Sequence, residues 1–391
     1  MIMENIRIYC ENDKDYKKVP HGTSLKELIG QMHLDDTFLA ALVDNQLKEL
    51  DFKLRQQHNI RFIGYDHPDG RRTYIRSLSF VLQNAVSEMY PDKVLAIDYS
   101  LPSGMYCEIR EVAPLEDGRP NVYFLTDEEI VLIKEKMKAI IAADQPFKKV
   151  KMNFEEAKKL FSAKHQADKV QLLHSLERFT YSVYFLDGKA DTFYGPLVPS
   201  TGCLDVFDIS GFNDGFCLQY PMDGDSGKVV PMKRQSKLAM ALEEHSDWCS
   251  IMGVKGIGVL NRIVREGKII DLINLSEALH ERKYAEIANR IYERRGSVRI
   301  VFIAGPSSSG KTSTSKRLAL QCRILGLNPK VIELDNYFVD REFTPRDKNG
   351  EYDFEALEAM DLAFLGQQLN DLLAGKEVEI PKFDFKEGKR V

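Results

Sequence analysis

The sequence predicts a multidomain chain that combines α+β and α/β architecture. Three observations carry this. The 391 residues exceed one ordinary domain. Up to about residue 225, strand-like and helix-like segments mix as they do in α+β domains. Residues 299–304, an apolar β-branched run (RIVFIA), then lead directly into a glycine-rich loop and a helix, which is how a buried parallel strand opens an α/β unit.

In order along the chain, NIRIYC (5–10) and IRFIG (60–64) read as strands. Between them Ser24-x-x-Glu27 is a capping box opening the helix LKELIGQM, and Asp44-Asn45 turns between the strands ALV and QLKEL. Apolar positions Ile75, Leu78, Val81, Leu82, Ala85, Val86 and Met89 recur at helical spacing over 73–89, and Pro91 closes that helix. Strand-like LAIDYSL and MYCEIREV come next, and Thr126-x-x-Glu129 caps a second long helix. YSVYFLDG, CLDVFDIS and GFCLQYP read as strands, and GDSGKVVPMKRQ as a linker. From about Ser236 to Arg295 the pattern is mostly helical and stops at Gly296, a connector packed on one or both neighbouring domains.

Composition excludes several classes. Hydrophobic residues make up 43% and charged residues 29%, so the chain buries real cores and is not disordered. Net charge is -5, from 54 basic and 59 acidic residues, which gives no global attraction to nucleic acid or membrane. Six cysteines without a Cys-x-x-Cys pair read as reduced thiols in a cytoplasmic protein, rather than a disulfide frame or zinc site. No run of about 18 apolar residues occurs, so no membrane span is expected.

Gly305-Pro306-Ser307-Ser308-Ser309-Gly310-Lys311-Thr312 fits G-x-x-x-x-G-K-[ST] between strand and helix. Glycines let backbone N–H groups turn inward around phosphate oxygens, and the helix N-terminus adds partial positive charge. Lys311 is placed to reach the β- and γ-phosphates of ATP, and the Thr312 hydroxyl to hold Mg²⁺. The nucleotide-binding candidates are Gly305, Ser307, Ser308, Ser309, Gly310, Lys311, Thr312 and Ser313. A further strand, KVIEL (330–334), ends at Asp335, a candidate to accept a hydroxyl proton or organise the metal. A third strand is read at 379–385.

The segments GPSSSGKTS, LDNYF, YDFEALEAMD and IPKFDFKEGKR, in this order, resemble the uridine kinase and phosphoribulokinase family. The resemblance implies an ATP- and Mg²⁺-dependent kinase acting on a nucleoside or ribose-like hydroxyl. It implies that Asp335 and Lys311 are catalytic, that Asp353 contacts ribose hydroxyls, that Phe383 lies beside the nucleobase, and that Arg390 belongs to the same motif. Gly388 departs from the pattern, since uridine–cytidine kinases carry a base-reading His there. Only about 95 residues come after Gly296, whereas a complete α/β kinase domain typically needs about 150 or more. The family's Walker B strand, lid arginines and adenine-side residues are therefore expected beyond Val391, and 297–391 reads as the N-terminal part of a kinase domain that lacks a complete site.

Residues 1–65 resemble a TGS domain, the β-grasp module at the start of threonyl-tRNA synthetases. Residues 66–225 resemble the synthetase editing domain, through YIRSLSFVLQNAVSEMYPDKVLAIDYSLPSGMYCEI and FYGPLVPST. Editing domains use His-x-x-x-His, then a Cys and a His. Here those places hold Ser77, Val81, Phe193 and Leu197, so the cleft is expected to be filled and inert. Residues 226–296 are the linker and helical connector. His165 and His174 read as solvated helix positions, the run 148–159 as an exposed basic helix face, and Tyr181, Tyr184 and Phe185 as core.

A second functional class stays open: an RNA- or tRNA-binding regulator with a nucleotide-gated P-loop. A free-standing editing hydrolase is disfavoured by the lost histidines. The expected partner is a small-molecule acceptor; RNA contact through the front half and homo-oligomerisation remain open.

Overall fold

The computed structural model describes residues 5–34, 37–116, 119–163, 166–222, 227–233, 235–254, 256–306 and 308–391. The chain divides into two compact units, Met1–Glu266 and Gly267–Val391.

The first unit opens with β1 (Asn5–Cys10), β2 (Asp15–Pro20), α1 (Leu25–Met32), β3 (Ala40–Val43), β4 (Gln46–Lys48) and β5 (Asn59–Ile63). The strands form one sheet in the order β2-β1-β5-β3-β4, with β1 and β5 parallel. The capping box expected at Ser24 is formed: the Glu27 amide donates to Ser24 Oγ at 3.2 Å, and the Ser24 amide to Glu27 Oε2 at 2.7 Å. Asp44 and Asn45 both take positive φ (48° and 61°), as a two-residue hairpin matched to strand twist requires. Leu25, Leu28, Ile8, Ile60 and Phe62 pack as the core of this sheet.

Next come α2 (Pro68–Met89), β6 (Lys93–Leu101), β7 (Gly104–Glu111), β8 (Val122–Tyr123), α3 (Asp127–Ala142), β9 (Lys148–Met152), α4 (Phe154–Ser162), α5 (Ala167–Leu176), β10 (Tyr181–Leu186), β11 (Lys189–Thr192), β12 (Asp208–Phe212) and β13 (Gly215–Gln219). An antiparallel sheet β12-β13-β7-β6, with β8 on β7, and a second sheet β11-β10-β9 result. Apolar side chains of α2 and α3 fill a core with Cys107, Ile109, Phe216 and Leu218. The helices α6 (Ser236–Ile251) and α7 (Ile257–Arg265) end the unit.

One expectation here needs correction. The basic run 148–159 is not one helix face. Residues 148–152 are β9, paired antiparallel with β10, and a new helix starts after Asn153. A capping box decides it: the Glu156 amide donates to Asn153 Oδ1 at 2.9 Å, and the Asn153 amide to Glu156 Oε2 at 2.9 Å. Tyr181 and Tyr184 are buried, as expected; His174 is exposed on α5, and His165 lies outside the described residues.

The second unit holds α8 (Ile269–Glu293), α9 (Lys311–Ile324), α10 (Leu362–Leu373) and the hairpin β14 (Phe383–Asp384) with β15 (Lys389–Arg390). The stretch read as one connector is thus shared, α6 and α7 lying in the first unit and α8 in the second. α8 and α9 pack through Ala288, Leu318 and Cys322. The strands expected at 299–304 and 330–334 are not formed, and the third shrinks to the two residues of β14. Residues 300–303 are exposed, Phe302 at 69%. β-branched composition favours an extended backbone, but a strand exists only when a neighbour completes its hydrogen bonds. Among the described residues neither segment has that neighbour.

All six cysteines are free thiols. Among the described residues, no helix is long and apolar enough to cross a membrane.

Candidate active site

The loop before α9 is built for anions. Ser308 and Gly310 take left-handed φ (59° and 83°), which turns successive amides toward one side. A Cβ on Gly305 would stand 2.7 Å from Ser309 Oγ, so a side chain there would require the Ser309 hydroxyl to turn away. The first helical hydrogen bond runs from the Thr314 amide to Gly310 O at 2.9 Å, which leaves the amides of Lys311, Thr312 and Ser313 without intrahelical acceptors. Lys311 Nζ bends back and donates to Gly305 O at 2.7 Å and Pro306 O at 2.9 Å. Its charge thus sits against the loop backbone at the start of α9. Ser307 lies outside the described residues.

This donor set fits a nucleotide polyphosphate: free amides, a helix start and one ammonium, all donors. Among the described residues, no group of three or more His, Cys, Asp or Glu could hold a metal ion by itself. Mg²⁺ normally keeps several waters and takes one or two protein oxygens together with substrate phosphates. The Thr312 hydroxyl, on the first turn of α9, is of that kind.

The acceptor-side candidates gather elsewhere in the same unit. Asp335 is exposed on a short 3₁₀ turn, Leu334–Tyr337. Its neighbour Asn336 accepts the Phe383 amide on Oδ1 at 3.1 Å, which ties the turn to β14. Phe383 is 4% exposed, and its ring packs on Phe338 and Phe385 at 5.8 and 5.2 Å between centroids. Phe338 also meets Phe354, next to Asp353, at 5.7 Å. Asp353 Oδ1 accepts the Glu355 amide at 3.0 Å, a turn contact.

Arg390 donates through Nη2 to Asp361 Oδ2 at 3.0 Å and lies over the Phe364 ring at 4.8 Å; its Nη1 is buried without a hydrogen-bond partner. Asp361 also caps α10. Its carboxyl is held below the usual carboxylate range, first by the Phe364 amide and then by Arg390. Phe338, Phe354, Phe383 and Phe385 thus form one aromatic cluster, with Asp353 next to Phe354 in the chain, Asp335 next to the Asn336 that holds Phe383, and Arg390 paired with Phe383 across the hairpin. Among the described residues, no hydrogen bond or ion pair links them to the phosphate loop. Asn336 and Arg341 hold this side together and are not singled out by the sequence. Asn336 is marked only by its place beside Asp335, and Arg341 by nothing local.

The positions that would carry editing chemistry are packed. Ser77 is buried; its Oγ donates to Thr73 O at 2.8 Å and accepts the Val198 amide at 2.9 Å. Val81 and Leu197 are core, and Phe193 packs on Phe80 and Tyr184 at 5.4 and 6.0 Å. A cleft of about 820 Å³ runs beside them, walled by Phe147, Phe193 and Leu197 with Glu49, Lys149 and Tyr184. Lys149 Nζ donates to Glu49 Oε1 at 2.9 Å, and the Tyr184 hydroxyl donates to the same carboxylate. Among the described residues, no histidine or cysteine lines this cleft.

Threonine--tRNA ligase of Symbiobacterium thermophilum is 26% identical over 200 residues, covering 50% of this chain and 29% of the relative. Threonine--tRNA ligase 2 of Bacillus subtilis (strain 168) is 25% identical over 201 residues, 51% of this chain and 30% of the relative. The Desulforamulus reducens ligase is 30% identical over 167 residues, 42% and 25%. The chain thus spans under a third of the length of these curated relatives. The other end matches a family model over residues 300–391. The chain therefore joins a front half similar to threonine–tRNA ligases to a C-terminal segment that matches the Phosphoribulokinase / Uridine kinase family.

Proposed function

We propose that the chain transfers the terminal phosphoryl group of ATP to a hydroxyl of a nucleoside or ribose-like molecule. The observation that carries this is the loop 305–310, with Lys311 and the open start of α9, inside the segment that matches a kinase family. ATP supplies the phosphoryl group, with Mg²⁺ neutralising its charge. Gly305, Ser307, Ser308, Ser309, Gly310 and Ser313 cradle the phosphates through backbone amides, Lys311 holds their outer oxygens, and Thr312 offers its hydroxyl to the metal. Asp335 aligns the acceptor hydroxyl and takes its proton. Asp353 binds ribose hydroxyls, Phe383 backs the ring, and Arg390 steadies the wall through Asp361. Catalysis is then chiefly positioning and charge stabilisation.

In this reading residues 1–65 are a TGS-like β-grasp domain, 66–225 an editing-like domain without its site, 226–296 the connector and 297–391 the kinase segment of a cytoplasmic protein. The mixed sheet covered by α1 supports the first assignment, and the packed Ser77, Val81, Phe193 and Leu197 support the second. The test is a kinase assay on the full-length protein with Mg-ATP and a panel of nucleosides and ribose derivatives. Transfer to none of them refutes the reading.

The likeness of the front half to tRNA ligases favours a second reading, an RNA-binding regulator gated by nucleotide. Filter binding with tRNA decides it. Retention that responds to ATP supports it, and no retention removes it.

A further inference from the structure

A depression of about 460 Å³ lies on the loop between β4 and β5, walled by Phe52, Lys53, Arg55, Gln56 and His58. The loop is anchored at several points. Leu54 at its centre is fully buried; its amide donates to Thr23 O at 2.9 Å, and its carbonyl accepts the Gly22 amide at 2.7 Å. The Leu25 amide donates to Phe52 O at 3.1 Å and the Tyr9 amide to His58 O at 3.0 Å, which ties the two ends of the loop to α1 and β1. His58 is fixed as well: its Nδ1 lies 2.6 Å from Asp44 Oδ2, and Asp44 Oδ1 accepts the Asn59 amide at 2.9 Å. The Asp44 carboxyl is held below the usual carboxylate range, first by His58 and then by that amide, so near neutral pH it is ionised and only accepts. Nδ1 therefore carries a proton toward Asp44, and Nε2 is the ring nitrogen left for another partner.

We propose that this depression binds a nucleotide phosphate, with Lys53 and Arg55 gripping the oxyanion, His58 and Gln56 bonding its remaining oxygens, and Phe52 backing the sugar or base. The proposal rests on neither reading above, since the loop 305–310 belongs to the second unit and this depression to the first. The walls hold two full cations and no carboxylate, in a chain whose net charge is -5. Lys53 and Arg55 are exposed on either side of buried Leu54, so they stand on the same side of an extended segment. Among the described residues neither forms a hydrogen bond through its side chain or an ion pair; Lys53 acts on the Glu27 carboxylate only as an unbonded charge. Their donors are therefore free for a ligand. The Phe52 ring is half-buried, with His58 edge-on to it at 6.1 Å and Lys48 Nζ 5.5 Å from its centroid, which gives a planar apolar surface rimmed by donors. A phosphomonoester brings about 1.5–2 negative charges near neutral pH and three acceptor oxygens, which matches two cations with further donors better than a carboxylate does. A free nucleotide and an RNA strand share this chemistry, and the probes below separate them.

The test is titration calorimetry of the whole chain with adenosine, AMP and a short single-stranded oligoadenylate. It is run in a Lys311→Ala background, which removes the competing charge of the loop 305–310. At least one phosphate-bearing probe should bind about tenfold or more tightly than adenosine. Replacing both cations, Lys53→Ala with Arg55→Ala, should bring that probe to within about threefold of adenosine. Gln56→Lys adds a third cation and should tighten binding by about two- to fivefold, a change that partial unfolding cannot mimic. Oligoadenylate bound more than about tenfold tighter than AMP, with an affinity that falls steeply with salt, assigns the site to an RNA strand; near-equal affinities assign it to a free nucleotide. Adenosine bound as tightly as both phosphate-bearing probes, phosphate-dependent binding that survives the double replacement, or binding of none of the three overturns the proposal. The kinase reading is untouched by any of these results, because it is decided by phosphoryl transfer.

Discussion

Lys311→Ala separates the part this lysine plays in the fold from its part in holding nucleotide. Without nucleotide, Nζ satisfies two exposed carbonyls, those of Gly305 and Pro306, and water can replace it at both. The loss in intrinsic stability should therefore be within about 0.5 kcal/mol. With nucleotide, a charge-assisted contact to phosphate is lost, worth about 1.5–3 kcal/mol, or about 10- to 150-fold in Kd. The low end is the better expectation, because Nζ must first leave two carbonyls at 2.7 and 2.9 Å. Linkage converts this into an observable. At Mg-ATP about 100 times the parent Kd, the parent gains about 2.7 kcal/mol. The variant at the same concentration gains about 0.3–1.4 kcal/mol by the same relation. For a unit of this size each kcal/mol moves Tm by roughly 3–6 °C. A thermal-shift titration should thus show nearly equal Tm without nucleotide and a shift cut to half or less with it. Equal shifts in parent and variant would refute the phosphate-loop argument.

Three further outcomes are expected. In the full-length protein, Asp335→Asn keeps size but cannot take a proton near neutral pH, so transfer should fall by about 10²–10⁴ with Mg-ATP affinity retained; parallel loss of Mg-dependent nucleotide binding would make Asp335 a metal organiser, and unchanged kcat would remove it from the mechanism. The front half should release no amino acid from mischarged threonine-accepting tRNA, and deacylation that depends on residues around Ser77 would contradict the packing of Ser77, Val81 and Leu197. Asp361 has its folded pKa depressed, so its stabilising contribution is present above the ordinary carboxylate pKa and lost as pH falls through the folded value. Asp361→Asn should therefore flatten the acid limb of a pH–stability profile of this chain, and an unaltered limb would show that the Phe364 and Arg390 bonds do not hold in solution.

Signals between near neighbours are the legible ones. Capping boxes at Ser24 and Thr126 and the turn at Asp44-Asn45 involve residues at most three apart, and the structure forms all of them. Asn153-x-x-Glu156 is equally local, but the lysines around it mask the boundary and make β9 look like part of a helix. The candidate site splits in the same way. The phosphate loop is a contiguous motif whose donors are mostly backbone amides, set by glycine, sequence order and the start of a helix. The acceptor side is assembled from residues far apart in the chain; Asp335 stands out in the sequence by its place after KVIEL, and Asp353, Phe383 and Arg390 only through family resemblance.

The sequence by itself determined the helix starts, the glycine-rich loop before α9 and the non-ligating side chains of Val81, Phe193 and Leu197, because each depends on neighbours in the chain or on the identity of one residue. Tertiary structure alone decided whether RIVFIA and KVIEL become strands, since pairing needs a distant partner that composition does not specify. It alone brought Asn336 to Phe383 across 47 residues, and it laid the Arg341 guanidinium over Gly388, where a missing side chain matters only because a remote one fills the space.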